Sequence, residues 1–439
     1  MEKQAFHVAI IGGGIGGLCL AQGLKKARVS VAVYERDHSR TARLQGYRIH
    51  INPKGSRALY ECLPQHLYDV FLATCGKSDK GFNFFTEQMK ALLYVSADDM
   101  GIKTEPDPID SHKSVSRFSL RQVLLTGLEE IVHFNKQFTR YEETPDGKMR
   151  ACFEDGTSIT CDVLIGAEGG NSQVRKQFLP HAQRTDTGYR AIQGKTPLTD
   201  EIKRVLPSRL LDGPATIIAP HGNGLFIAVQ EFQQKPAEIE EIADAIQLHP
   251  DLLLSDTRDF IGWGFTAQQQ RYPTGKDVAK MDRADLKQVA LGMTQNWHPL
   301  LQRLIQEADP TTVIFTPLYS AVPVEPWQTK RVTLLGDAIH SMTPFLGIGA
   351  NTALRDARLL CQQLNAASNG EVPLLQAIHD YESEMIRYGF AAVLGSKKAL
   401  EQSAALANPV NLAITKTMFR VMNALPPLKK RAFSGFGEE

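Results

Sequence analysis

The chain has 439 residues, 43% of them hydrophobic and 22% charged, with Lys plus Arg at 49 and Asp plus Glu at 48. That length allows two or three domains with sizeable cores, and the composition excludes a disordered or low-complexity chain. A formal net charge of +1 lacks the cation surplus that nucleic-acid affinity rests on, so no nucleic-acid partner is expected.

The N-terminal MEKQAF has no signal-peptide layout. The apolar, glycine-rich stretch from Val8 to Ala21 is too short to cross a bilayer, so no integral membrane association is expected. Cys19, Cys62, Cys75, Cys152, Cys161 and Cys361 are scattered without a CxxC pair. That spacing argues against a disulfide framework or a metal site and for a reducing, cytoplasmic location.

His7 to Ile11 reads as a buried parallel strand and Val29 to Tyr34 as a second, with Leu18, Ala21, Leu24 and Lys25 at helical spacing between them. Gly12, Gly14 and Gly17 form GxGxxG at the first turn. The first glycine permits the tight turn, the second lets backbone approach a pyrophosphate, and the third lets helix and strand pack closely. The helix N-terminus adds unpaired N–H donors. Glu35, closing the second strand, is placed to accept hydrogen bonds from an adenosine ribose and disfavours a 2′-phosphate there, which selects FAD or NAD over NADP in this pocket. Arg36 can stack on the nucleotide or neutralise part of it.

Residues 104–114 are rich in Pro, Asp and Ser and read as a loop or hinge. Leu120, Leu124, Leu128 and Ile131 predict a helix over Phe118 to Val132. A strand-rich stretch follows, with turns at Pro145-Asp146-Gly147 and Asp155-Gly156, and ends in CDVLIGAEGG. Residues 186–320 carry no nucleotide fingerprint; RAIQGK, TIIAP, GLFIAVQEF and IGWGF are strand-like around the turn His221 to Gly224. Asp282 to Glu307 reads as helix, interrupted near His298-Pro299. RVTLLGD is again an apolar strand, and HSMTPFLGIGAN leads into a helix with Ala350, Ala353, Leu354, Ala357, Leu360, Cys361 and Leu364 on its buried face. Pro409 to Arg431 mixes apolar and basic residues.

Three motifs in this order resemble the single-component FAD-dependent aromatic hydroxylases, the group that includes p-hydroxybenzoate hydroxylase. They are the dinucleotide fingerprint, CDVLIGAEGGNSQVR (Cys161 to Arg175) and GDAIHSMTPFLGIGAN (Gly336 to Asn351). YERDHSRTAR and YESEMIRYG resemble the tetracycline-inactivating monooxygenases in particular. The layout this implies is α/β: a Rossmann-like FAD-binding domain interrupted by a mixed-sheet substrate domain, with C-terminal helices. The FAD-binding parts would be 1–75, 116–185 and 321–370, with a substrate-domain excursion at 76–115, the substrate domain at 186–320 and a helical segment at 371–439. We expect Pro409 to Arg431 to dock on the flavin domain rather than on a membrane.

In the third motif Asp337 can accept hydrogen bonds from ribityl hydroxyls. Gly347 and Gly349 allow close backbone approach, Pro344 stiffens the wall, and Ala350 and Asn351 open a helix whose positive end can face the flavin ring. By resemblance Arg121 contacts the FAD phosphate or ribose, Arg43 serves the nicotinamide cofactor and Gln193 contacts substrate. Glu168 replaces the family's usual Asp and puts the reduction step in question; Ile348 stands where many relatives have Gln. His340 reads as a packing residue rather than a base, and Phe226 and Trp263 as core aromatics. No catalytic residue is assigned.

The resemblance implies a monooxygenase that uses NAD(P)H and O2 to hydroxylate an aromatic or polycyclic small molecule through a flavin C4a-hydroperoxide, in antibiotic inactivation or secondary metabolism. The alternatives are a flavoprotein dehydrogenase and a non-redox FAD-bound ligand-binding or cyclisation scaffold. A monomer or weak homo-oligomer is expected.

Overall fold

The computed structural model describes residues 6–42, 47–102, 107–234, 258–273 and 277–434, together with 238 and 241; Arg43 lies outside the described residues. One half of the molecule is built on five parallel strands in the order Val332–Leu334, Val163–Gly166, His7–Ile11, Ser30–Tyr34, Val132–His133. Parallel strands are covered on both faces, which is why VAII, VAVY and VLIG read as uninterrupted apolar runs. Helix Ile15–Lys26 packs against helix Gly349–Ser368. Their approach is close: a Cβ at Gly23 would lie 2.7 Å from Cys361 Sγ. A three-stranded antiparallel sheet, Phe138–Glu143, Met149–Phe153 and Ser158–Cys161, turns at residues 145–147 and 154–156.

The other half is a seven-stranded mixed sheet in the order Ile314–Ala321, Arg184–Pro197, Phe260–Gln268, Gly224–Gln230, Ala215–Ile218, Gly81–Thr86, Ala91–Ser96. Only the Ala215–Ile218 and Gly81–Thr86 pairing is parallel. Strand side chains alternate faces. One face buries Ile192, Ile227, Trp263 and Phe265 beneath helices Arg283–Met293 and Pro299–Gln306. The other face looks into a cleft.

Three expectations need correction. The helix predicted to reach Val132 is Arg117–Leu125. Thr126 turns to extended backbone and Gly127 has φ +72°, so Val132 is freed to pair with Val33 in the parallel sheet. The C-terminal helix Pro409–Ala424 docks on the edge of the seven-stranded sheet, not on the flavin-binding half. Leu412 packs with Leu92 and Ile218, Met422 with Leu93 and Val95, and the Tyr94 N–H donates to Asn423 Oδ1 at 3.0 Å. Phe226 is not a core aromatic: it is 43% exposed and faces the cleft, while Trp263 is 3% exposed and donates Nε1–H to Thr196 Oγ1 at 3.2 Å.

Candidate active site

At the end of His7–Ile11 the chain turns at Gly12, whose φ of +110° suits glycine, and a Cβ there would lie 2.5 Å from the Ala167 carbonyl oxygen. Gly17 sits where a Cβ would fall 2.3 Å from the Gly12 oxygen, so helix and turn touch. Gly14 differs: a Cβ there meets nothing within 4 Å, because this position opens onto the cleft. Glu35 is buried; its carboxylate accepts from Gly13 N–H at 2.5 Å and from Asp37 N–H at 2.9 Å. Arg121, also buried, donates Nε–H to Gly13 O at 3.1 Å and a guanidinium N–H to Arg40 O at 2.8 Å, gripping the turn from the cleft wall. Arg36 is exposed on the cleft wall.

The second half of the cleft comes from residues 336–351. Strand Val332–Leu334 delivers Asp337 with its carboxylate open to the cleft. The surrounding protein desolvates that carboxyl and pushes its pKa up, opposed by His340, Arg117 and Arg184. Pro344 opens the single turn Pro344–Leu346, Gly347 follows at φ +67°, and Gly349 begins helix Gly349–Ser368. Asn351 is the exception among the predicted residues. It is buried off the cleft surface, its Oδ1 accepting from Asn52 N–H at 2.9 Å and its Nδ2 donating to His50 O at 2.8 Å. Its side chain therefore fixes the helix start to strand Arg48–Ile51.

Helices Ile15–Lys26 and Gly349–Ser368 both begin at this cleft without a side-chain cap. Helices Pro53–Cys62 and Arg117–Leu125 also begin on the cavity wall, but their first N–H groups are capped by the Asn52 and Ser116 side chains. Two uncapped N-termini expose unpaired N–H groups and the positive ends of two helix dipoles to one space. With the bare Gly14, the Glu35 acid and Asp337, that donor set fits a dinucleotide carrying a pyrophosphate and hydroxyl groups.

The cleft continues over the seven-stranded sheet. Ile314, Gln193, Gly264, Phe226, Thr216 and Phe84 stand opposite one another across six neighbouring strands, and all six line the cavity. Gly264, between Gln193 and Phe226, leaves a trough in that row. Gln193 Nε2 donates to Thr316 Oγ1 at 3.4 Å. Phe82 lies beside Phe84, with centroids 5.1 Å apart. The row follows from strand register, which the sequence does not print, so Phe84 and Phe226 carried no signal of their own. Also unforeseen are His50 and His112, stacked with ring nitrogens 2.9 Å apart on the cavity wall. Burial, then His112 and Arg48, push His50 down to about 3.

Glu168 spends its carboxylate locally, accepting from Ser172 Oγ–H at 2.5 Å and from the Gln173 and Val174 N–H groups at 2.9 and 3.0 Å. It caps helix Gln173–Phe178, and the extra methylene relative to Asp provides the reach.

Residues 270–393 match the FAD binding domain family and residues 10–69 the NAD(P)-binding Rossmann-like domain family. A crystal structure from Photorhabdus luminescens, assigned as an FAD-containing monooxygenase, is 35% identical. It aligns over 90% of this chain and 98% of that one, with a TM-score of 0.76. The dual O-methyltransferase/FAD-dependent monooxygenase elcB of Phaeosphaeria nodorum is 30% identical over 90% of this chain and 45% of its own length. The chain thus spans about half the length of the curated relatives it matches first. The tetracycline destructase Tet(51) shares the fold at 16% identity and a TM-score of 0.62, over 98% of each chain. The chain belongs to the FAD-dependent monooxygenase family, as its three motifs imply.

Proposed function

We propose that this protein uses NAD(P)H and O2 to hydroxylate an aromatic or polycyclic small molecule, with FAD as resident cofactor. One observation carries the reading: a single cavity of about 2130 Å³ runs from the glycine turn past Asp337 to the Gln193–Phe226 row. Single small-ligand pockets span about 300–1,000 Å³, so this one has room for a dinucleotide and a second molecule side by side.

The helix beginning after Gly14 would take the pyrophosphate, Glu35 the adenosine ribose, Arg36 the nucleotide edge, and Asp337 the ribityl hydroxyls. The N–H groups of Gly349 and Ala350 would face the pyrimidine end of the ring, with Gly347 allowing close approach beside Pro344, its own N–H closing the turn onto the Pro344 carbonyl. When bound, FAD supplies the two-electron chemistry by which NAD(P)H reduces O2, one oxygen atom entering the substrate and the other leaving as water. The positive end of the Gly349–Ser368 helix favours negative charge where it meets the ring. Arg121 holds the turn from the cavity wall, and Asn351 acts one step back, holding the helix start in place. Phe84 and Phe226 offer aromatic faces, and the Gln193 amide can orient a polar substituent.

Glu168 gives no reason against reduction, because its carboxylate is a helix cap. The tetracycline-like motifs keep antibiotic inactivation beside secondary metabolism as the biological setting. Six free cysteines, four of them buried, suit a reducing compartment such as the cytoplasm.

Anaerobic mixing of the FAD-loaded protein with NADH or NADPH, with and without phenols, quinolones and tetracyclines, tests the reading. Bleaching of the oxidised flavin band, accelerated by one ligand class, and an aerobic product heavier by one oxygen atom are the expected results. Flavin that no nicotinamide reduces would overturn it. Reduction followed by H2O2 release, with no oxygenated product from any ligand, would return the dehydrogenase reading.

A further inference from the structure

Helix Pro409–Ala424 has two apolar faces, and docking accounts for one. Leu412, Phe419 and Met422 pack onto the sheet edge. About a third of a turn round the helix, Val410, Ile414, Met418, Val421 and the following Leu425 are between 48% and 64% exposed. At 100° per residue these five fall within an arc of about 80°, and at 1.5 Å per residue the stripe runs about 22 Å. Helix Pro426–Phe433 extends it with Leu428, 53% exposed. No part of the described chain covers this stripe.

Its electrostatic setting is one-sided. From Gln402 to Gly437 the sequence contains Lys416, Arg420, Lys429, Lys430 and Arg431 and no Asp or Glu. Lys416 and Lys429 are spent inward on Glu87 and Asp99, at 3.0 and 2.9 Å, which fixes the docked face. Lys430 reaches the exposed Asp98 at 3.5 Å. Arg420 and Arg431 are exposed, with no carboxylate in ion-pair distance among the described residues. An outward apolar stripe flanked by unpaired arginines complements the interface of an anionic bilayer, with the aliphatic side chains among the acyl chains and the guanidinium groups at the phosphates.

The stripe also meets the cavity. Ile414 and Met418 belong to the outward row and to the cavity wall, beside Phe419 and Phe433. We propose that the outer face of helices Pro409–Ala424 and Pro426–Phe433 docks the protein peripherally on an anionic lipid bilayer, placing the cavity rim at the membrane surface. Among the described residues no helix is long and apolar enough to cross a membrane, so the contact is interfacial. An apolar substrate could then pass from lipid to the cavity without crossing water.

The test uses the full-length FAD-loaded protein and flotation on vesicles of phosphatidylcholine alone or mixed with phosphatidylglycerol. Flotation with the mixed vesicles alone is expected. Raising ionic strength from about 0.1 to about 1 M, which shortens the Debye length from about 10 to about 3 Å, should lower partitioning roughly tenfold or more. V421D/L425D and, separately, R420Q/R431Q should each cost about tenfold in partitioning while keeping the parent's flavin content and far-UV circular dichroism. The arginine pair keeps the test decisive if the aspartates unfold the helix. Absence of flotation on the mixed vesicles, or folded variants that float like the parent, would overturn the proposal. So would a dimer in sedimentation equilibrium that V421D/L425D dissolves, because a second copy would then cover the stripe.

Discussion

His340 Nε2 lies 2.7 Å from Asp356 Oδ2, and both side chains are fully buried. The same carboxylate accepts from Gly336 N–H at 2.8 Å and from Tyr388 Oη–H at 2.5 Å. Asp356 thus ties the turn that presents Asp337 to helix Gly349–Ser368, which carries Asp356, and to helix Leu374–Ala405, which carries Tyr388. His340 is a positioning residue behind the cleft. Its ring also sets how closely the long helix can approach, since a Cβ at Gly389 would lie 2.7 Å from it.

That pair predicts a pH dependence of stability. Burial alone would lower the His340 pKa, but the charge and hydrogen bond of Asp356 outweigh it and hold the imidazole above its ordinary value. A histidine whose pKa is raised on folding stabilises fully below about 6.5, its unfolded value, and loses that contribution as pH rises through the folded value. Melting temperature of the wild type should therefore fall, relative to His340→Gln, as pH climbs from about 6.5 upward. Asp356→Asn should cost about 3–5 kcal/mol below that range, because it strands a buried imidazolium. Parallel wild-type and His340→Gln curves across this range would show that His340 does not titrate.

The glycines of the first turn should separate folding from cofactor binding. A Cβ at Gly17 would collide with the Gly12 carbonyl, so Gly17→Ala should destabilise the flavin-free protein by roughly 1–3 kcal/mol. Gly14→Ala adds its methyl to open cleft and should leave flavin-free stability within about 1 kcal/mol, since only an N-cap preference changes. FAD affinity, measured by quenching of flavin fluorescence, should nonetheless fall at least about tenfold in Gly14→Ala. Unchanged affinity would mean that the pyrophosphate does not approach this position.

How much of this was legible before the structure depended on whether the information is local. The glycine turn, Glu35 and the Gly336–Asn351 segment were readable because turn, strand end and helix start are consecutive in sequence. Four of the five parallel strands were readable because burial on both faces leaves them as apolar runs; the two-residue Val132–His133 was too short to show. The trough was not, since Gln193, Gly264, Phe226 and Phe84 meet only through register across strands far apart in the chain. Helix length at Phe118 to Val132 was overread because Leu128 and Ile131 keep a helical spacing while belonging to the turn and strand that follow. The role of Asn351 was also hidden: its motif marks it as a cofactor residue, whereas its partners, Asn52 and His50, lie about 300 residues away.

Asn351 gives a prediction that needs no flavin. Asn351→Ala removes an acceptor from Asn52 N–H and a donor from His50 O. Losing both hydrogen bonds to buried backbone should cost roughly 2–4 kcal/mol in urea denaturation of the flavin-free protein. Asn351→Asp restores only the acceptor and should recover part of that loss. A wild-type urea midpoint in Asn351→Ala would show that water replaces both bonds, and that the helix start needs no anchor in the strand.

The trough row bears on substrate, and its two polar and aromatic members should fail differently. Phe226 lines the cavity from strand Gly224–Gln230 and not from the turns that carry the proposed cofactor residues, so Phe226→Ala should spare FAD content and NAD(P)H reduction in the absence of substrate. What it removes is an aromatic face worth about 0.5–1.5 kcal/mol beyond buried area, together with that area. KM for the aromatic substrate should therefore rise roughly tenfold or more. Gln193→Ala removes a hydrogen-bonding group rather than a surface. It should weaken orientation, lowering the fraction of NAD(P)H consumed that ends in oxygenated product, with the remainder recovered as H2O2. Product per NAD(P)H distinguishes the two: preserved in Phe226→Ala at saturating substrate, reduced in Gln193→Ala even there. If both variants retain wild-type KM and product yield, the substrate does not lie along the Gln193–Phe226 row, and the wall bearing His50 and His112 becomes the place to look.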